Sequence, residues 1–235
     1  GSRCPICLEE WDVNDLPLLM ICCCRTICTQ CVEKFQNEAC PLCRAPCAET
    51  RAENLARLRR HVENEIPEAM NRLGLAYHQG QLGLVQNLKK AAKCYKRAVE
   101  LRNVDASHNL AVLYTEGAGV TQNKKKAMQL FRMAADRGCL KAQVNYATCL
   151  CQDGIDSEAS VRYMKMAADR GFTPAEFNVG VMLINSKPGE ANLDKKEGMI
   201  YLAKASQKGH KEAKAALEQC FEHIKSGVFT CYKKK

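Results

Sequence analysis

The chain has 235 residues, a length that allows one or two domains. Its net charge of +9 is uneven, because residues 1–50 carry four Lys/Arg against seven Asp/Glu and the positive excess lies beyond them. The Lys and Arg residues beyond residue 50 are interspersed with Glu and Asp at helical spacing, a pattern of solvated helix faces that disfavours nucleic acid as a partner.

The sequence contains no secretory signal and no apolar run long enough to span a bilayer. We therefore expect no membrane association and an intracellular location, cytoplasmic or nuclear. Nine of the 16 cysteines fall within residues 4–43, and six of them form CxxC pairs. In a reducing compartment CxxC pairs favour zinc over disulfides.

Residues 4–43 have the cysteine spacing of a module that binds two metal ions. A two-residue spacer lets one tight turn present two sulfurs, and four thiolates complete a tetrahedral zinc site. The spacing predicts two interleaved Zn²⁺ ions, which supply the folding energy that so short a segment cannot obtain from its core. One ion is assigned to Cys4, Cys7, Cys28 and Cys31, and the other to Cys40, Cys43 and two members of the triplet Cys22-Cys23-Cys24.

The motifs CPIC at residues 4–7 and CPLCR at residues 40–44, with the spacing between them, resemble a RING domain. Many RING domains have a histidine three residues before the position of Cys28, where this chain has Arg25. The segment CCCRTIC instead resembles the all-cysteine variant of algal RING proteins that also carry Sel1 repeats. The resemblance implies that Cys23 is a ligand together with Cys22, or with Cys24 in place of Cys22.

The RING resemblance implies a ubiquitin ligase, which holds a ubiquitin-charged conjugating enzyme in a reactive pose without a covalent intermediate. The implied contact residues are Ile6, Phe35, Pro41, Leu42 and Arg44. An arginine suits this role because its planar fork donates to several acceptors at once. The alternative is that these residues cover a small zinc core, and that the chain is a non-enzymatic scaffold for protein–protein interaction.

Residues 49–66 are predicted to form a helical connector. Leu55, Leu58 and Val62 make one apolar helix face, and Pro67 marks the restart of the next helix. The predicted organisation is a zinc domain over residues 1–48, the linker over 49–66, a repeat array over 67–225 and a tail over 226–235.

From residue 67 the sequence repeats itself. A landmark alanine marks each repeat, and it recurs at intervals of 37, 36, 33 and 38 residues, at Ala69, Ala106, Ala142, Ala175 and Ala213. Glycine-containing loop signals divide each interval into helix, turn, helix and turn, and a last helix from Glu212 would cap the array. These units resemble Sel1-like repeats, relatives of the tetratricopeptide repeat; the fourth departs from the family pattern at Glu197-Gly198, where Lys-Ala is typical.

The predicted fold class is therefore mostly α: a small cross-braced two-zinc RING domain followed by a right-handed α-solenoid of Sel1-like helix-turn-helix repeats. Such arrays are binding scaffolds, so an unknown protein substrate or adaptor is the expected partner. Asn109, Asn145 and Asn178 each stand three residues after a landmark alanine, and their amides can bond an extended peptide. The alternative is that they bond neighbouring turns inside the stack.

Overall fold

The structure is a computed structural model that describes residues 3–9, 18–20, 22–23, 25–27, 29–34, 39–46, 48, 50–152, 157–185 and 195–225. The chain divides into two compact units, Gly1–Cys139 and Leu140–Lys235. The domain limits predicted at residues 48, 66 and 225 stay predictions. Among the described residues, no helix combines the length and the apolar character needed to cross a membrane.

The first unit begins with three short elements: strand β1 (Leu18–Met20), strand β2 (Arg25–Ile27) and helix α1 (Thr29–Lys34). The two strands pair antiparallel, with Leu18 opposite Ile27. Helix α2 (Arg51–Glu63) occupies the segment for which a connector helix is predicted. It begins at Thr50, whose hydroxyl accepts a hydrogen bond from the amide of Glu53 and so satisfies one of the free donors of the first turn.

Two helix pairs complete the first unit: α3 (Pro67–Gln79) with α4 (Leu88–Glu100), and α5 (Val104–Glu116) with α6 (Lys124–Asp136). The two helix pairs have the same residue types at their helix ends. Gly80 and Gly117 end α3 and α5 in the left-handed conformation, and Asn87 and Asn123 cap α4 and α6 by accepting from a backbone amide. The same residue types at the same positions therefore build the same turn twice.

The second unit contains α7 (Leu140–Gln152), α8 (Ser157–Asp169), α9 (Thr173–Asn185), α10 (Lys195–Gln207) and α11 (Lys211–Lys225). Helix α11 covers the predicted capping segment. In both units the landmark alanines are fully buried, which lets neighbouring helices approach closely. They are Ala69, Ala106, Ala142, Ala175 and Ala213.

A glycine pair explains why the fourth repeat departs from its pattern at Glu197-Gly198. A Cβ atom on Gly198 would lie 3.0 Å from the carbonyl oxygen of Gly180, and one on Gly180 would lie 2.8 Å from the side chain of Leu202. Helices α9 and α10 therefore pack more closely than an alanine at either position allows. At the corresponding crossing of α7 and α8, the buried Ser160 hydroxyl donates to the carbonyl oxygen of Ala147 over 2.7 Å.

We expect Gly119→Ala to destabilise the chain by about 3 kcal/mol and the matched Gly83→Ala by about 1 kcal/mol. Both glycines have left-handed backbones, with φ of 72° and 76°. A Cβ on Gly119 would lie 2.4 Å from the backbone carbon of Leu88, whereas one on Gly83 meets nothing within 4 Å. Urea unfolding followed by circular dichroism measures both, and equal losses would contradict the close approach at Gly119.

Candidate metal centre

The Cys4–Cys7 segment is a tight loop closed by backbone hydrogen bonds. The Leu8 amide donates to the carbonyl oxygen of Cys4 over 2.9 Å, and the Cys4 amide donates to that of Glu9 over 3.0 Å. Leu8 adopts a left-handed φ of 61°, which is unusual for a branched residue and turns the chain sharply after Cys7. The loop thereby presents two sulfurs from one turn.

The Cys40–Cys43 segment repeats this geometry. The Arg44 amide donates to the carbonyl oxygen of Cys40, and the Cys40 amide donates to that of Ala45, each over 2.8 Å. Arg44 has a left-handed φ of 57°, as Leu8 has after the first loop. An isolated bridge between Ala39 and Pro46 closes the base of the loop. The two CxxC segments are thus the same structural device used twice.

The second cluster consists of four sulfurs and lies at the Cys40–Cys43 loop. The Sγ atoms of Cys22, Cys23, Cys40 and Cys43 all lie within 4.8 Å of one another. Cys22 and Cys43 are 3.5 Å apart at sulfur, and Cys23 and Cys40 are 3.8 Å apart. Four thiolates at ~2.3 Å from one ion stand ~3.8 Å from one another in a tetrahedron. The cluster therefore has the dimensions of a four-thiolate metal site.

The first cluster joins the Cys4–Cys7 loop to helix α1. The sulfurs of Cys4, Cys7 and Cys31 also lie within 4.8 Å of one another. Cys28, the predicted fourth member, and Cys24, the predicted substitute for Cys22, lie outside the described residues. The described sulfurs group in the predicted interleaved order, because Cys22 and Cys23 stand between Cys7 and Cys31 in sequence. These cysteine clusters can hold metal ions; the assignment of zinc stays a prediction.

The thiols of the second cluster differ in how readily they ionise. Burial raises the pKa of Cys22 well above that of a free thiol, and burial with the neighbouring Cys40 raises the pKa of Cys23 to about 11. Burial also acts on Cys40, but the amides of Cys43 and Leu42 donate to its sulfur and bring its pKa down to about 7. The Cys40 thiol is therefore partly ionised at neutral pH, and a bound cation would have to displace the protons of Cys22 and Cys23.

Two of the predicted contact residues pack against cysteines of the first cluster. Ile6 and Leu42 come from the two different loops, and both pack, half-buried, against the core of Cys4, Ile27 and Cys31. Pro41 is half-buried and Arg44 is exposed. Phe35 lies outside the described residues. Sequence reasoning missed Leu8, an apolar residue that is 68% exposed directly after the first loop.

The asparagine positions lie on the first helix of successive pairs. The Asn109 amide nitrogen donates to the side-chain oxygen of Asn71 on α3 over 2.9 Å, which supports the alternative that Asn109 bonds inside the stack. Asn145 and Asn178 are half-buried on α7 and α9. Asn71 was missed because it stands two residues after its landmark alanine, outside the pattern that the other three follow. Peptide binding at these positions stays a prediction.

The helical array matches a known family. The Sel1 repeat family matches residues 67–103, 104–139, 140–172 and 173–210, which together make up more than half of the chain. The chain belongs to the Sel1 repeat family. Each matched segment begins at the first residue of α3, α5, α7 or α9, so one Sel1 repeat is one helix pair. The predicted Sel1 repeats are confirmed, whereas the RING resemblance stays a prediction.

Two solved structures share the Sel1 fold. One is a Sel1 repeat protein from Oxalobacter formigenes, with a TM-score of 0.66 and 24% identity, covering 74% of this chain and 69% of that one. The other is c5321, a protective antigen present in uropathogenic Escherichia coli strains, with a TM-score of 0.66 and 24% identity, covering 76% of this chain and 38% of its own. At this identity the likeness establishes the fold alone.

Curated relatives match shorter segments. Chitin synthase regulatory factor 2 of Schizosaccharomyces pombe is 38% identical over 68 residues, and regulatory factor 3 of that yeast is 28% identical over 85 residues. The matched segments span 29% and 36% of this chain but 13% and 9% of those relatives. The Sel1 repeats suit the chain to protein–protein interaction, as expected of stacked helix pairs that offer extended surfaces.

Proposed function

We propose that the chain is a RING-type ubiquitin ligase that binds a ubiquitin-charged conjugating enzyme through its cysteine module and a protein substrate or adaptor through its Sel1 repeats. The observation that carries the proposal is the pairing of two identical CxxC loops, which bring Ile6 and Leu42 against one small core. Two half-buried apolar side chains from separate loops, together with the exposed Leu8 that follows the first loop, are the proposed surface for a partner protein.

Zinc suits both cysteine clusters, because thiolate sulfur is its preferred structural ligand and the second cluster has tetrahedral spacing. Cys22, Cys23, Cys40 and Cys43 would hold one ion, and Cys4, Cys7 and Cys31 with Cys28 the other. Bound zinc would fix the two loops. The chemistry of ubiquitin transfer is then left to residues that position the reactants.

The proposed reaction is aminolysis of a thioester. A lysine amine of the substrate attacks the carbonyl carbon that joins ubiquitin to the conjugating enzyme, the enzyme's cysteine leaves as a thiolate, and an amide bond forms. No nucleophile of this chain takes part. Ile6 and Leu42 would bind the conjugating enzyme, while Arg44 would donate to both enzyme and ubiquitin and restrain the thioester. Arg44 is exposed and has a left-handed backbone.

The Sel1 repeats would bind the protein substrate or adaptor. Asn145 and Asn178 on the first helices of two repeats are half-buried, and their amides are proposed contacts for an extended peptide. The matched yeast proteins are named as regulatory factors, which also fits a non-enzymatic adaptor. In that alternative the cysteine module serves assembly, and its surface binds a partner without ubiquitin transfer.

Autoubiquitination with a panel of conjugating enzymes separates the two functions. We expect activity with at least one enzyme, and a loss of about tenfold or more in Ile6→Ala and in Arg44→Ala. Arg51→Ala is the control, because Arg51 is an exposed arginine on α2 that belongs to neither cysteine cluster. All variants should retain the same zinc content. Activity that is absent with every enzyme, or unchanged in both variants, would favour the non-enzymatic scaffold.

A further inference from the structure

Helix α2 contacts the backbone of a cysteine in the second cluster. The Nε2 atom of His61 lies 3.1 Å from the carbonyl oxygen of Cys22, 39 residues away in sequence. A carbonyl oxygen only accepts, so Nε2 is the donor in this contact. Nδ1 is buried and has no hydrogen-bond partner among the residues that the structure describes. The ring is therefore held by its contact with Cys22 and by packing.

A second side chain of α2 contacts the residue that closes the base of the Cys40–Cys43 loop. Arg57 Nη1 donates to the carbonyl oxygen of Pro46 over 2.6 Å, and its Nη2 donates to Glu53 over 2.7 Å. Pro46 closes the base of the Cys40–Cys43 loop through its bridge to Ala39. The Arg57 side chain is 16% exposed, and that of its partner Glu53 is 43% exposed. His61 and Arg57, one helical turn apart, thus contact Cys22 and the base of the Cys40–Cys43 loop.

The same helix is anchored to the first Sel1 repeat. Leu58, between Arg57 and His61, is fully buried and belongs to a core with Ala69 and Leu73 of α3. Helix α2 therefore presents one face to α3 and holds the cysteine loops with neighbouring side chains. All of these contacts lie within the first compact unit.

We propose that α2 is the outer support of the second metal centre, with His61 and Arg57 as positioning residues that hold the Cys22 and Cys40–Cys43 segments together before the ion binds. The inference rests on the metal-binding part of the proposed function and not on ligase activity. Groups that orient metal ligands from outside the coordination sphere commonly contribute ten- to hundredfold to affinity. Because these contacts involve only the second cluster, we expect the loss of affinity to affect only the ion held there.

The test uses the full chain loaded with zinc, with release of the ions to a competing chelator as the first measurement. In His61→Leu we expect the affinity for one ion to fall about tenfold while the other ion stays bound as in the native chain. Leucine also removes the buried Nδ1 atom, which has no hydrogen-bond partner among the described residues, so the melting temperature of the helices should not fall. His61→Gln, whose amide can donate to the Cys22 carbonyl, should restore most of the affinity. Arg60→Ala, an exposed neighbour on α2, is the control.

Alkylation of the cysteines, located by peptide mass spectrometry, identifies the weakened ion. In His61→Leu the thiols of Cys22, Cys23, Cys40 and Cys43 should react at lower chelator concentration, and those of Cys4, Cys7 and Cys31 as in the native chain. Equal weakening of both ions, or no change in either, would overturn the proposal. A native chain that binds no zinc at all would instead overturn the metal centre itself, so the two failures are distinguishable.

Discussion

Replacing Cys40 by serine is expected to reduce the zinc content from two ions per chain to at most one and to unfold the two loops. Cys40 is buried, its sulfur stands 3.8 Å from that of Cys23, and two amides of its own loop donate to it. A serine hydroxyl is a poor zinc ligand, and structural zinc sites contribute about 10–16 kcal/mol to folding. Atomic emission of the purified chain measures the zinc, and limited proteolysis measures the loops.

The Sel1 helices should survive this change, because their cores contain no member of either cysteine cluster. Helical circular dichroism should therefore stay nearly unchanged while the loops are cleaved. Cys94→Ser is the control, since Cys94 is half-buried on α4 and belongs to neither cluster. Two zinc ions retained in Cys40→Ser would show that this sulfur is not a ligand.

The second large effect is expected in the second unit, where Lys208→Met should lower the free energy of unfolding by about 3 kcal/mol. Glu176 is 2% exposed on α9, and its Oε1 lies 2.8 Å from Lys208 Nζ, which also donates to the carbonyl oxygen of Gly171. Oε2 of Glu176 has no hydrogen-bond partner within the described part of the chain. Removing the lysine leaves a buried carboxylate without its counter-charge.

Lys165→Met is the matched control. Its ammonium lies 2.7 Å from Glu197 at the same sequence separation, but both partners are about one-third exposed, so the expected loss is about 1 kcal/mol or less. The double variant Glu176→Gln/Lys208→Met should recover most of the loss, because no buried charge remains. Urea unfolding measures all four chains. Equal effects of the two lysine variants would contradict the importance of burial at Glu176.

Much of the helical array is predictable because its constraints are local. The capping Asn87 and Asn123 and the glycines that end α3 and α5 each act within one turn of their own helix, and the landmark alanines are visible in sequence as a regular interval. The close contact of Gly180 with Gly198 is not predictable in this way. It depends on two helices meeting, and sequence shows only that the fourth repeat breaks its pattern.

The cysteine clusters were predictable in part for a similar reason. A CxxC spacing presents two sulfurs from one turn, so the grouping of Cys40 with Cys43 follows from local geometry. The contacts of His61 and Arg57 with this module bridge 39 and 11 residues and use backbone carbonyl oxygens as acceptors. Any residue can supply such an oxygen, so no sequence signal marks the partner.

The most direct test of the proposed ligase is single-turnover discharge of ubiquitin from a charged conjugating enzyme to free lysine, with and without the zinc-loaded chain. The assay needs no substrate and no self-modification, so it isolates the restraint of the thioester that Ile6, Leu42 and Arg44 are proposed to impose. We predict faster discharge with the native chain, and the unassisted rate with Cys40→Ser or Arg44→Ala. Discharge at the unassisted rate with the native chain, across the panel of conjugating enzymes, would contradict the proposal.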